Sequence, residues 1–210
     1  MFHGYGASQN DLAGLSQVLL KNKNTEWFFP NGVEALKFNG MEVGRCWFDL
    51  QVSSLQEALA NDDYEYIENK VYTKLDPCID QVEKIFTTDQ IDYSQSVVGG
   101  FSQGSILSFS LALRLSRKGV VPKAICLFSP TFVGEKKLIE EIKELGDVPL
   151  FICHGTQDQV LPYRQTQKLV ELCEKHFKHF SFFSFDDGHT IPMSAIQSAN
   201  DFLNTHLGNT

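Results

Sequence analysis

The feature that most constrains this chain is an alternation that begins at residue 96. Short, predominantly apolar runs at 96–101, 123–128, 148–153 and 180–185 are separated by longer stretches at 103–118, 133–145, 163–178 and 193–207. The longer stretches repeat apolar residues at helical spacing or carry dense charge, and they predict helices. The short runs predict strands, and they do not alternate apolar with polar residues. A strand that is apolar on both faces is covered on both, which is the condition of a parallel sheet with helices packed above and below. The expected class is therefore α/β, an open, doubly wound, mostly parallel sheet. Gly119 follows the helix at 103–118 as a stop signal.

The N-terminal half is less regular. Residues 11–20 predict a short helix, and residues 26–29, ending at Pro30, predict a strand. Residues 31–50 predict an irregular Gly-containing loop that closes on Trp47 and Phe48. Between 64 and 86, Ile67, Val71, Leu75, Ile79, Val82 and Ile85 recur every three or four positions and predict a long amphipathic helix, with a kink expected at Pro77. No repeat or Pro/Ser-rich linker divides the 210 residues, so one domain spanning 1–210 is expected.

Composition narrows the function. The chain is 42% hydrophobic with 17 Phe, enough to fill a core, and its net charge of −8 disfavours partners that need basic patches: nucleic acid and anionic membrane surfaces. No run approaches the length of a membrane span, and the first ten residues lack the pattern of a signal peptide. Five cysteines, an odd number with no C-x-x-C pair, give neither a disulfide framework nor a zinc site and suit a reducing cytoplasm. No motif for a metal or cofactor is present.

In a sheet of this kind the chemistry gathers at the carboxyl ends of the strands. After the strand at 96–101 comes Gly100-Phe101-Ser102-Gln103-Gly104, a G-x-S-x-G between a strand and a helix. The glycines permit a sharp turn that exposes Ser102, and the helix N-terminus behind it offers free N–H groups to a developing oxyanion. A plain Gly-lined turn with a Ser cap is the bland alternative. A serine nucleophile needs a base, itself oriented by an acid. Among six histidines, His176 and His179 lie near a helix C-terminus, His206 lies in the tail, and His3 and His154 sit before glycines where they tie down turns. His189 follows the last strand through Asp186-Asp187-Gly188 and is the candidate base. Asp158 follows the strand at 148–153 and is the candidate acid, ahead of Asp186 and Asp187, which would have to fold back within a tight turn. The backbone N–H of Gln103 is one expected oxyanion donor, and that of Tyr5, in His3-Gly4-Tyr5-Gly6, is the other.

Taken together, H-G-Y-G (3–6), G-F-S-Q-G (100–104), H-G-T-Q-D (154–158) with L-P (161–162), and D-G-H (187–189) resemble the phospholipase/carboxylesterase family of α/β-hydrolases, the group that includes the acyl-protein thioesterases. The resemblance spans nearly the whole chain. It implies a cofactor-free serine hydrolase of carboxylic esters or thioesters, with Ser102, Asp158 and His189 as the triad and Tyr5 and Gln103 as oxyanion donors. Trp47-Phe48-Asp49 is similar to the family's W-F-D segment, which implies that Trp47, Phe48 and Leu161 line an acyl pocket. The family pattern also has an apolar strand running into H-G-x-G beside the nucleophile strand. Only Met1 and Phe2 precede His3 here, so the sheet is expected to lack its N-terminal strand or strands.

The leading expectation is thus an esterase or thioesterase acting on a small-molecule ester or an acylated protein or lipid, as a monomer or homodimer. A lysophospholipase on the same site, and a non-catalytic binding protein on a hydrolase fold, are the alternatives. A peptidase is disfavoured by the lack of an extra domain or cationic anchor for a peptide. Dienelactone-hydrolase chemistry is disfavoured because the elbow carries Ser rather than Cys.

Overall fold

The computed structural model describes residues 1–21, 24–63, 70–71, 73–131 and 142–208. The centre of the fold is a four-stranded parallel sheet in the order β3-β4-β5-β6, made by β3 (Val97–Phe101), β4 (Ala124–Phe128), β5 (Leu150–Gly155) and β6 (Phe180–Phe185). Every residue of β4 and β5 is buried. Alternate side chains go to opposite faces. Ile125, Leu127, Leu150 and Ile152 enter one core with α2 (Thr73–Thr88), α3 (Gln103–Ser116) and α4 (Tyr163–His176). Ala124, Cys126, Phe128, Phe151 and Cys153 enter the other, against α5 (Met193–His206) and the N-terminal leucines Leu12, Leu15, Leu19 and Leu20. Burial on both faces is the physical reason for the uninterrupted apolar runs.

The expected elements of the C-terminal half stand, shifted by a residue or two at their ends. The charged helix expected at 133–145 lies outside the described residues except at its end, where Ile142–Leu145 forms a 3-10 turn. The N-terminal half departs further. Residues 11–20 form a 3-10 turn over Ala13–Gln17 rather than an α-helix, its leucines pinned to the sheet. Residues 26–29 are not a strand, although the Phe28 carbonyl accepts a hydrogen bond from the Met1 nitrogen at 2.7 Å. The expected loop at 31–50 contains an antiparallel hairpin, β1 (Glu34–Phe38) and β2 (Met41–Cys46). Asn39 and Gly40, with φ of +50° and +81°, form its two-residue turn, and Asn-Gly is the strongest short-range hairpin signal a sequence offers. A short helix, α1 (Val52–Ala60), follows. Of the helix expected at 64–86, residues 64–69 and 72 lie outside the described residues, and α2 carries Pro77 within it.

On the side of β3 away from β4, one residue pairs with the strand. Phe2 bridges Gly100 in parallel, its N–H donating to the Gly99 carbonyl at 2.9 Å and its carbonyl accepting from the Phe101 N–H at 3.0 Å. Below that bridge the edge opens on a cavity of about 610 Å³ bordered by Val97, Phe86, Lys123 and Tyr93, whose buried hydroxyl has no hydrogen-bond partner. None of the expected site residues lines that cavity. All five cysteines are free and buried, and burial pushes the thiols up, Cys46 to about 11 and Cys78 to about 12. Among the described residues no helix is long and apolar enough to cross a membrane.

Candidate active site

The chain reverses direction at one residue between β3 and α3. Ser102 takes φ +55° and ψ −118°, a left-handed conformation that a non-glycine residue holds only when its surroundings enforce it. They do so here by close approach. A Cβ on Gly100 would lie 2.4 Å from the Gly104 carbonyl, and one on Gly104 would lie 2.0 Å from the Phe2 carbonyl oxygen and 2.7 Å from that of His3. The Ser102 N–H is anchored to the Phe128 carbonyl at 2.9 Å, and the Ser105 hydroxyl reaches both that carbonyl and the Gly100 carbonyl. The elbow is therefore fixed to its neighbour strand on one side and to the H-G-Y-G turn on the other.

That contact gives a prediction. Gly104→Ala pushes on backbone, not on a mobile side chain, so the turn bearing Tyr5 must shift. Losing one oxyanion donor costs on the order of 10²–10³ in turnover. Gly104→Ala is expected to lose at least that factor on an ester substrate and to melt at a lower temperature. A variant with native turnover and melting would show that the turn and elbow need not touch.

The turn itself is braced from three directions. His3 Nδ1 donates to the Gly4 carbonyl at 2.7 Å, while Nε2 accepts the Gly32 N–H at 2.9 Å. These partners require a neutral ring, and burial pushes the imidazole down in agreement. Trp47 donates its indole N–H to the His3 carbonyl at 2.9 Å. On the third side β2 pairs with the turn, Gly6 N–H to Arg45 O at 2.9 Å and Arg45 N–H to Ala7 O at 2.8 Å. Between these bonds, among the described residues, the Tyr5 N–H makes no backbone hydrogen bond, and neither does the Gln103 N–H in the first turn of α3. Two free N–H groups at these positions are what an oxyanion site requires.

Gln103 does more than the sequence predicts. Its side-chain Oε1 accepts the Trp47 N–H at 3.0 Å and its Nε2 donates to the Phe48 carbonyl at 2.6 Å. The residue after Ser102 thus clamps the Trp47–Phe48 backbone. The two aromatic side chains are in the core, Trp47 0% and Phe48 1% exposed, with Trp47 edge-on to Phe2 at 5.0 Å. Leu161 is also buried.

At the carboxyl ends of β5 and β6 the candidate base and acid meet. His189 Nδ1 donates to Asp158 Oδ2 at 2.6 Å. The other carboxylate oxygen accepts the Val160 and Leu161 N–H groups at 2.8 and 2.9 Å. Burial pushes the Asp158 carboxyl up, but donors from His154, His189 and the Leu161 backbone outweigh it and hold it well below the usual carboxylate range. Across the physiological range it is an anion. The His189 ring lies on Phe101, the residue preceding Ser102, with centroids 4.7 Å apart. Among the described residues Ser102 and His189 are not joined by a hydrogen bond, and such bonds commonly tighten only when substrate closes the site. Asp186 instead accepts from Gln157 Nε2 at 2.7 Å, and Asp187 caps the Gly188 N–H. Among the described residues neither is hydrogen-bonded to an imidazole. Among the described residues, no cluster of His, Cys, Asp and Glu could hold a metal ion.

The whole chain has known counterparts. The profile of the phospholipase/carboxylesterase family matches residues 1–207. An acyl-protein thioesterase 1 of Cryptococcus neoformans var. neoformans serotype D is 26% identical over 173 residues, covering 80% of this chain and 69% of its own. Among solved structures, esterase PE8 superposes with a TM-score of 0.70 at 23% identity, over 98% of this chain and 90% of that one. Acyl-protein thioesterase 2 of Zea mays gives 0.62 at 18% identity, over 99% and 92%. These likenesses are of fold.

Proposed function

The chain belongs to the phospholipase/carboxylesterase family, and from that membership and the site geometry we propose that it hydrolyses carboxylic esters or thioesters through an acyl-enzyme on Ser102. The observation that carries the reading is the 2.6 Å bond between His189 Nδ1 and Asp158 Oδ2, made across 31 residues of sequence by an imidazole resting on the nucleophile strand. Asp158 holds His189 with its proton on Nδ1 and leaves Nε2 free to accept. His189 takes the Ser102 proton as Oγ attacks the carbonyl carbon. The tetrahedral oxyanion is received by the Tyr5 and Gln103 N–H groups and the N-terminal end of α3. His189 returns the proton to the departing alcohol or thiol, and the acyl-enzyme is released when water enters by the same route in reverse.

The substrate we propose is a small ester or an acylated protein or lipid, met in a reducing, cytoplasmic setting that five free cysteines suit. A fluorophosphonate probe tests the reading directly. Labelling of the native protein at Ser102, together with turnover of p-nitrophenyl and acyl-thioester substrates, is the expected result. A folded protein that neither labels nor turns over would leave the non-catalytic alternative standing.

The acyl pocket is a separate part of the proposal. Trp47, Phe48 and Leu161 are packed in the resting structure, so any acyl chain they receive must part them from their neighbours. Phe48→Ala removes a fully buried ring and should cost about 3–5 kcal/mol of stability. The expected outcome is a lowered melting temperature together with a changed ratio of rates on short- and long-chain esters. A stability loss with an unchanged ratio would assign Phe48 to the core alone.

A further inference from the structure

We infer that His154, outside the proposed triad, carries a proton on each ring nitrogen and positions Asp158 as a second, cationic imidazole on the oxygen that His189 uses. The inference rests on the proposed hydrolase reading for its catalytic consequence, but not for the protonation itself.

Hydrogen-bond accounting makes the case. His154 is fully buried, and so is the side chain of Asp158. Its Nε2 lies 2.9 Å from the Leu161 carbonyl and 3.2 Å from Asp158 Oδ2. Both are acceptors, so Nε2 must carry a hydrogen. Nδ1 lies 2.8 Å from Thr166 Oγ1, and that hydroxyl lies 2.6 Å from the Pro130 carbonyl. Thr166 has one hydrogen to give. If it went to Nδ1, two oxygens would stand 2.6 Å apart with no hydrogen between them. Given to Pro130, it leaves Thr166 to accept from Nδ1, and every acceptor in the cluster is then served. A fully served buried network is the stable arrangement, and a half-served one is costly.

Charge points the same way. A buried carboxylate needs a countercharge, and His189 must be neutral at rest to act as a base. His154 supplies the positive charge in its place. The other groups around the cluster do not compete. Tyr163 on α4 presents its ring 6.0 Å from His154, Ser129 and Thr131 beyond β4 are uncharged, and Asp186 and Asp187 beyond β6 engage Gln157 and Gly188. The consequence is electrostatic coupling, because the two imidazoles face the same carboxylate oxygen and positive charge on one opposes positive charge on the other.

The test has two arms. In protein labelled with ¹⁵N-histidine, with the His154 signals assigned by their loss in His154→Gln, both ring nitrogens are expected in the protonated range at pH 8. An unprotonated Nδ1 overturns the inference, whether or not the protein hydrolyses anything. In the second arm, Thr166→Val removes the acceptor for the Nδ1 proton. The acid limb of the kcat/KM profile on a p-nitrophenyl ester should move up by about one pH unit, and Thr166→Ser should restore it. A folded Thr166→Val enzyme with lowered melting but an unmoved acid limb would mean that the cluster is packing only. If the native protein turns over no ester, the hydrolase reading fails while the nitrogen signals still decide this one.

Discussion

Ser102→Ala is expected to lower ester turnover by roughly 10⁴-fold or more and to abolish fluorophosphonate labelling, with almost no change in melting temperature. The two halves of that expectation have separate causes. The rate falls because Ser102 presents its hydroxyl where β3 turns into α3, whereas the Ser105 hydroxyl in the same elbow is committed to the Gly100 and Phe128 carbonyls. Stability holds because the contacts that fix the elbow belong to backbone and to glycines: the Ser102 N–H on the Phe128 carbonyl, and Gly104 against the Phe2 carbonyl. Alanine keeps all of them and takes on the same left-handed φ, so the free energy should change by less than about 0.5 kcal/mol. For a chain of this length that is within about 2 °C. A variant that retains half its turnover would remove Ser102 from the mechanism. One that loses activity by melting early would show that the hydroxyl is structural.

Asp158→Asn carries the second large effect, and it should be felt in both rate and stability. Asp158 Oδ1 receives two backbone N–H groups, and Oδ2 receives the imidazoles of His189 and His154. An asparagine that keeps its oxygen on the backbone donors must turn its NH₂ toward two ring N–H groups. His189 is then driven to the wrong tautomer, and turnover should fall by roughly 10⁴-fold. Removing one partner of a buried ionic cluster typically costs about 3–5 kcal/mol, so melting should drop by several degrees as well. The pH dependence of that drop has a definite sign. Because the folded carboxyl is held below its ordinary range, its contribution is complete above the unfolded pKa, near 4, and is lost as pH falls through the folded value. The melting difference between Asp158→Asn and the native protein should therefore be full at pH 7 and shrink in strong acid. Asp186→Asn and Asp187→Asn, whose carboxylates engage Gln157, Thr156 and Gly188, should leave turnover near native. If either of them is the crippling change, the acid has been placed on the wrong strand.

What the sequence by itself determined is the part set by local chemistry. Predominantly apolar runs alternating with helices require a sheet buried on both faces, and a sheet of that kind puts Ser102, Asp158 and His189 at strand ends in the right order. Asn39-Gly40 carried the hairpin in plain view, flanked by Leu36-Lys37-Phe38 and Met41-Glu42-Val43, which alternate apolar with polar residues although both strands are mostly solvent-exposed. The leucines of 11–20 repeat as a helix would, yet their burial on the sheet is satisfied by a single 3-10 turn. Only the tertiary structure decided the contacts that join distant residues. It turned the Gln103 side chain onto backbone 55 and 56 residues upstream, sank Trp47 and Phe48 into the core, and paired Phe2 with β3. It also set His154, which by sequence ties down a turn, on the same carboxylate oxygen as His189. Periodicity and turn chemistry act over a few residues. Which donor meets which acceptor across the sheet is fixed by where the strands end in space, and no local pattern records that.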